Sequence, residues 1–334
     1  MQPRGIMRNQ LTVPSVTAMV LALMVTAAAT VTAAQGKAGY RTVFENGKHS
    51  VSIPLDIDNN IIRIKVRVNG SRELTMIFDT GASQSGIDEH FVKELGLKTT
   101  SEKLKGRGTG GSFTGTYIKS SNLSVNGVEV TNQPLAAFKI NAPPGFEFDG
   151  IIGYDFIAPF VVEIDYQNKM MTLTESLSYV YRGRGEIIKL KLGGRKTPLI
   201  RTVFSVNKRL AFAANLELDT GADNAFLLNS PVVRKHRLLG IFKNAIKSEA
   251  NGAGGVQSRV IARVGSAKFG SITINNPPVA LSLDKAGSGA ATDNDGVIGG
   301  EVLRRFKVII DYSRRRMILE KNSDFDEPYD ESDG

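Results

Sequence analysis

The sequence predicts an all-β protein built as two similar lobes with a few short helices. Three observations carry this. The tetrapeptide Asp-Thr-Gly-Ala occurs twice, at Asp79-Thr80-Gly81-Ala82 and at Asp219-Thr220-Gly221-Ala222, each time directly after an apolar run that reads as a strand. Downstream of each copy comes an Asp-Gly pair leading into an apolar-apolar-glycine segment, Asp149-Gly150-Ile151-Ile152-Gly153 and Asp295-Gly296-Val297-Ile298-Gly299. Each half then closes on a matched alternating run, Phe160-Val161-Val162-Glu163-Ile164-Asp165-Tyr166 and Phe306-Lys307-Val308-Ile309-Ile310-Asp311-Tyr312, which turns back into Met171-Thr172-Leu173 or Met317-Ile318-Leu319. That pattern is a hairpin with period-two alternation. Solenoids and propellers repeat every 20 to 50 residues or so, whereas this period is about one small domain long.

In chain order, the first residues carry Arg4 and Arg8, then an apolar stretch from Val16 to Val31, then Thr32-Ala33-Ala34-Gln35. Residues 1–34 therefore read as a secretory signal peptide, which predicts an exported protein, periplasmic or secreted, with no membrane segment once the leader is removed; the alternative is an uncleaved membrane anchor, for which the apolar run is short. The N-terminal lobe follows as residues 35–182. Ile61-Ile62-Arg63-Ile64-Lys65-Val66-Arg67-Val68 is an alternating strand ending in Asn69-Gly70, a hairpin turn pair. Asp88 to Gly96 has an acidic first turn, apolar Phe91, Val92 and Leu95, and a closing glycine, so a short helix is expected there. Periodicity stops near Tyr181-Arg182-Gly183-Arg184-Gly185, which places the seam, and the C-terminal lobe spans 183–322. Residues 323–334 carry Asp324, Asp326, Glu327, Asp330, Glu331 and Asp333 and are expected to form a disordered acidic tail.

Composition excludes several chemistries. With no cysteine there is no disulfide, no thiolate nucleophile and no cysteine-bound metal centre. His49, His90 and His236 are scattered, so no metal site is expected, and His90 on the short helix reads as a surface or packing residue and not a ligand. The net charge of +9 on 334 residues is carried by the body, since the tail is acidic. Arg314-Arg315-Arg316 falls in a turn between strands and reads as a solvated tip, and with few aromatics no nucleic-acid partner is expected.

The chemistry should lie at the repeated Asp-Thr-Gly. In Leu74-Thr75-Met76-Ile77-Phe78-Asp79 an apolar strand ends in a carboxylate, which is costly to ionise there without hydrogen bonds. A single copy fits an aspartate capping its own turn. Two copies in matched frames point to a pair of carboxylates sharing one site. Glu217, two residues before Asp219, is expected to point outward.

These residues resemble the aspartic peptidases of the pepsin and retropepsin superfamily, and the likeness runs from about Val51 to Glu320. The alanines after Asp-Thr-Gly, followed by Ser83 or Asp223, are more similar to the retropepsin form, so the chain resembles two retropepsin-like units in tandem. The resemblance implies two acid-protease β-barrel lobes related by a pseudo-twofold axis, an expected monomer, no cofactor, and a peptide or protein substrate. It implies that Asp79 and Asp219 are catalytic, that Thr80 and Thr220 bond across to the opposite lobe, and that Gly81, Gly221 and Asp223 contact substrate backbone. The stretches Gly106-Arg107-Gly108-Thr109-Gly110-Gly111 and Asn251-Gly252-Ala253-Gly254-Gly255 would be flap tips, with Gly110 and Gly254 over the substrate. Tyr117 lies beyond the first tip. A hydroxyl in place of Ala82 and Ala222 would favour the ionised pair, so a less acidic working range than that of pepsin-like enzymes is expected. The implied activity is an exported aspartic endopeptidase. The alternative is an inactive module on the same fold that binds peptide or wall polymer.

Overall fold

The computed structural model describes residues 18–19, 23–25, 40–142, 145–242, 245–252 and 254–329. Their strands assemble into sheets of 11, 10 and 6 strands. The alternation of Ile61–Val68 lays Ile62, Ile64, Val66 and Val68 into the core while Lys65 and Arg67 face solvent. Asn69 (φ 51°) and Gly70 (φ 74°) both take the left-handed turn conformation, and Leu74–Phe78 returns antiparallel with Leu74 opposite Val66.

Leu74–Phe78 then pairs in parallel with Gly150–Ile152, which also pairs antiparallel with Gly86–Asp88. The second half repeats this: Leu210–Leu218 runs parallel to Gly296–Ile298, which pairs antiparallel with Phe226–Leu228. The two Asp-Gly pairs fix the register. The Asp149 carboxylate accepts from the Thr75 amide at 2.8 Å, and Asp295 accepts from the Asn215 amide at 2.7 Å. Each glycine stretch turns a hairpin, Thr99–Gly108 into Gly111–Val125 and Ile246–Gly252 into Gly255–Arg263.

The six-stranded sheet belongs to both halves. Ser50–Pro54, Phe160–Asp165 and Met170–Glu175 come from the first, and Glu186–Lys189, Phe306–Asp311 and Arg316–Lys321 from the second. The halves join where Phe160–Asp165 pairs antiparallel with Phe306–Asp311, Ile164 opposite Val308, and the buried Val162, Ile164, Val308 and Ile310 pack into one core. The expected short helix is present as His90–Glu94, closed by Gly96 (φ 62°), with His90 exposed beside Asp88.

Two expectations need correction. The acidic tail is not loose from residue 323. Ser323–Asp326 forms a 3-10 turn, Phe325 packs edge-on against Phe306 at 5.4 Å, and Glu327 pairs with Arg304 at 3.0 Å. The buried Arg305 donates to the carbonyls of Asp324 and Glu327 and stands 4.0 Å from the Tyr329 ring. Two arginines and an apolar residue inside the acidic run thus anchor it through Tyr329; residues 330–334 lie outside the described residues. The arginine run is likewise not a purely solvated tip, because Arg314 and Arg316 each pair with the buried Asp311 at 3.0 Å. The leader falls largely outside the described residues. Of it, Ala18–Met19 pairs in parallel with Ala250–Asn251, and Leu23–Val25 pairs antiparallel with Gly106–Gly108.

Candidate active site

Both apolar strands deliver their aspartate to the same place. The amide of Asp79 donates to Ile152 O at 2.9 Å and that of Asp219 to Ile298 O at 3.0 Å, so each aspartate is hung from the apolar-apolar-glycine segment of its own half. That segment ends in glycine for a steric reason. A Cβ on Gly153 would sit 2.9 Å from Ala82 O, and one on Gly299 would sit 3.0 Å from Ala222 O, where the loop carrying each aspartate crosses it.

The threonines lock the loops together. The Thr80 hydroxyl donates to Leu218 O at 2.6 Å and accepts from the Thr220 amide at 3.1 Å. The Thr220 hydroxyl donates to Phe78 O at 2.6 Å and accepts from the Thr80 amide at 3.1 Å. All four groups are buried, so each hydroxyl satisfies backbone groups of the opposite lobe that would otherwise be orphaned.

Asp79 and Asp219 are fully buried. Oδ1 of Asp79 accepts from the amides of Gly81 (2.8 Å) and Ala82 (3.0 Å), whereas Oδ1 of Asp219 accepts from Gly221 alone (2.9 Å). Oδ2 of each is buried without a hydrogen-bond partner, and the charge of one carboxyl acts on the other. Burial is the main cause that raises both above the ordinary carboxylate range, and the charge of Asp79 raises Asp219 further. Two buried carboxylates this close cannot both ionise at ordinary cost, so the pair retains a proton. Asp79 has more amide donors to hold a negative charge, which leaves the proton on Asp219.

Gly81 matters by its emptiness, since a Cβ there would lie 2.7 Å from Asp219 Cγ. Gly221 is buried in the equivalent loop and Asp223 follows it, partly buried, with its carbonyl accepting from Asn60 of the first lobe at 3.4 Å. Gly110 (φ 80°) and Gly254 (φ 126°) lie at the two hairpin tips, and the tips meet each other. A Cβ on Gly110 would fall 2.5 Å from Gly255 C, and one on Gly111 would fall 2.5 Å from Gly254 O. Tyr117 packs against the first lobe's apolar cluster, whose members include Ile77, Ala82 and Phe138.

Sequence reasoning misplaced Glu217. It is fully buried, not outward, because residues two apart on a strand share a face and the end of Leu210–Leu218 is covered on both sides. Glu217 Oε2 accepts from Asn294 at 2.6 Å and from Arg195 at 3.2 Å, and Arg195 in turn pairs with Asp293 at 3.1 Å. Burial pushes the Glu217 carboxyl up to about 7, with Arg195 opposing and Asp219 adding to the rise. The first lobe has the apolar Ile77 at this position, so comparing the two frames residue by residue was the signal available in the sequence. The charge of Glu217 also raises Asp79. Glu217→Gln is therefore expected to move the alkaline limb of any pH–rate profile of the pair toward acid by about one unit, as measured by kcat/KM against pH; an unmoved limb would show that the charge is not felt.

The family model described as aspartyl protease matches residues 64–156, which contain the first Asp-Thr-Gly loop and its apolar-apolar-glycine partner. No curated protein matches the chain. Among solved structures, the crystal structure of aspartic proteinase from Irpex lacteus is similar at 15% identity with a TM-score of 0.53, covering 82% of this chain and 98% of that one. At that identity the likeness is one of fold, and it extends over both lobes. Residues 64–156 thus match the aspartyl protease family, and the all-β two-lobe fold around paired aspartates is similar to that of an aspartic proteinase.

Proposed function

We propose that the protein is an exported aspartic endopeptidase acting as a monomer, with both aspartates supplied by one chain. The observation that carries the reading is the pair of buried carboxyls held by reciprocal threonine bonds, in which Asp79 takes two amide donors and Asp219 one. In this reading a water held between the carboxyls loses a proton to Asp79 as its oxygen attacks the scissile carbonyl carbon. Asp219 gives its proton to the carbonyl oxygen, forming a gem-diol. Asp79 then protonates the amide nitrogen, the C–N bond breaks, and a gem-diol hydroxyl returns its proton to Asp219. No metal or organic cofactor enters any step.

The flap edges suit an extended substrate. Thr99–Gly108 and Ile246–Gly252 each accept a further short strand on the edge away from the returning strand, which is how a sheet edge takes up a peptide. Export is proposed from the basic and apolar leader.

The test is hydrolysis of a mixed peptide library across about pH 4 to 8. Because both carboxyls are raised, the singly protonated pair persists toward neutrality, and activity is expected through about pH 5 to 7. Activity confined to strongly acidic conditions, or cleavage that survives Asp79→Asn, would overturn the reading.

A further inference from the structure

The two walls beside the aspartates differ in chemistry. Counted from the equivalent hairpin tips, Phe113 and Gly115 of the first lobe correspond to Gln257 and Arg259 of the second. Phe113 packs on Phe138 at 4.9 Å and joins Ile77, Ala82, Phe146 and Phe148 in an apolar cluster. Gly115 has no room for a side chain, since a Cβ would lie 2.2 Å from Ala137 O. On the second lobe the equivalent cluster is made of small and aliphatic residues, Ala222, Leu227, Ala250, Ala280 and Val297, and Arg259 lies on the buried face of its strand.

Arg259 is 2% exposed, and its Nε and Nη1 are buried with no hydrogen-bond partner. Gln257 and the Ser258 amide take up Asp284 at 2.8 and 3.3 Å, so that carboxylate is already engaged. Asp223, four residues after Asp219, is the carboxylate whose charge acts on Arg259, and Arg259 shares the buried face of its hairpin with Gln257, at the position equivalent to Gly115. Among the described residues no carboxylate lies within ion-pair distance of Arg259. A buried guanidinium with unmet donors destabilises the free protein and calls for an acceptor that arrives with a ligand.

We propose that Arg259 is a specificity-determining residue that receives an Asp or Glu side chain of the peptide substrate on the second-lobe wall, opposite an apolar side chain received by the first-lobe wall. The planar fork of an arginine suits bidentate capture of a carboxylate, and the net charge of +9 favours encounter with acidic peptides. This assignment rests on the peptidase reading of the same site.

The experiment compares paired peptides that differ only by Glu or Gln near the scissile bond, using the full chain and its Arg259→Met, Arg259→Gln and Arg259→Lys variants. The wild type is expected to prefer the Glu peptide by about ten- to hundredfold in kcat/KM, with the ratio falling to about one in Arg259→Met and Arg259→Gln and partly restored in Arg259→Lys. Thermal unfolding separates a structural role. Replacing an unpartnered buried charge by methionine should leave the melting temperature unchanged or higher, whereas a packing anchor would lower it. Binding of the same labelled peptides to the Asp219→Asn chain, read by fluorescence anisotropy, keeps the two readings distinguishable. If nothing is cleaved but the Glu peptide binds about tenfold tighter and loses that advantage without Arg259, the peptidase reading fails and the acidic subsite stands. Equal binding and cleavage of the Glu and Gln peptides by the wild type, or a preference unchanged in all three variants, overturns the subsite.

Discussion

Asp219→Asn is expected to lower peptide hydrolysis by about a thousandfold or more and, at neutral pH, to raise the melting temperature. The first effect follows from the proton. Asp219 carries the one that the pair retains, and an amide cannot deliver it to the carbonyl oxygen. The second follows from linkage. Burial and the neighbouring Asp79 raise the carboxyl of Asp219 in the folded chain, while in the unfolded chain it titrates normally. Below the ordinary carboxylate value both states are protonated and the group has no pH-dependent effect. As pH climbs from there toward the raised value, the unfolded chain releases its proton and the folded chain does not, so stability falls. Asparagine removes that loss, and its side-chain oxygen can still accept from the Gly221 amide. The gain should appear at pH 7 as a higher melting temperature by calorimetry and should vanish near pH 4. A melting temperature lowered equally at both pH values would mean that the carboxyl serves as a structural acceptor instead.

Gly81→Ala is expected to reduce kcat by about a hundredfold or more while leaving the protein folded. The backbone at Gly81 is outside the left-handed region, so alanine is not barred by its own conformation. The obstacle is Asp219, whose Cγ and Oδ2 would stand 2.7 and 2.9 Å from the new methyl. Side-chain ends usually swing aside cheaply, but this carboxyl is held by the Gly221 amide and is fully buried. Relief must come from displacing Asp219 from its partner. Circular dichroism and unfolding should therefore change little while turnover collapses; unchanged turnover would mean that the dyad tolerates the shift.

Much of this architecture was legible because the chain states it twice. Asn69-Gly70, the two Asp-Gly pairs and the closing runs at Phe160 and Phe306 each use a residue type that only one local geometry accepts, and the structure places each as the pattern implies. The threonine bonds were implied by the family resemblance, and the structure shows both. What escaped was whatever differs between the copies. Glu217 was assigned outward although it shares a face with Asp219, and its partners Arg195 and Asn294 come from loops remote in sequence. Arg259 attracted no notice because a lone arginine on a strand reads as solvated, and only the fold shows that its face is covered. The packed tail escaped because charge density spoke for disorder while the arginines that neutralise it lie some twenty residues earlier.

The unequal walls bear on direction. A cleft with true twofold symmetry presents the same surface to a peptide entering in either sense, so a chain running N to C and one running C to N meet identical neighbours. Here Phe113 and Gly115 of the first hairpin stand where Gln257 and Arg259 stand in the second, and Asp79 takes two amide donors where Asp219 takes one. Joining the halves in one chain lets each differ, and the result is a site with a polarity: under the proposed peptidase reading a bound peptide would have one favoured sense, set before any bond is broken.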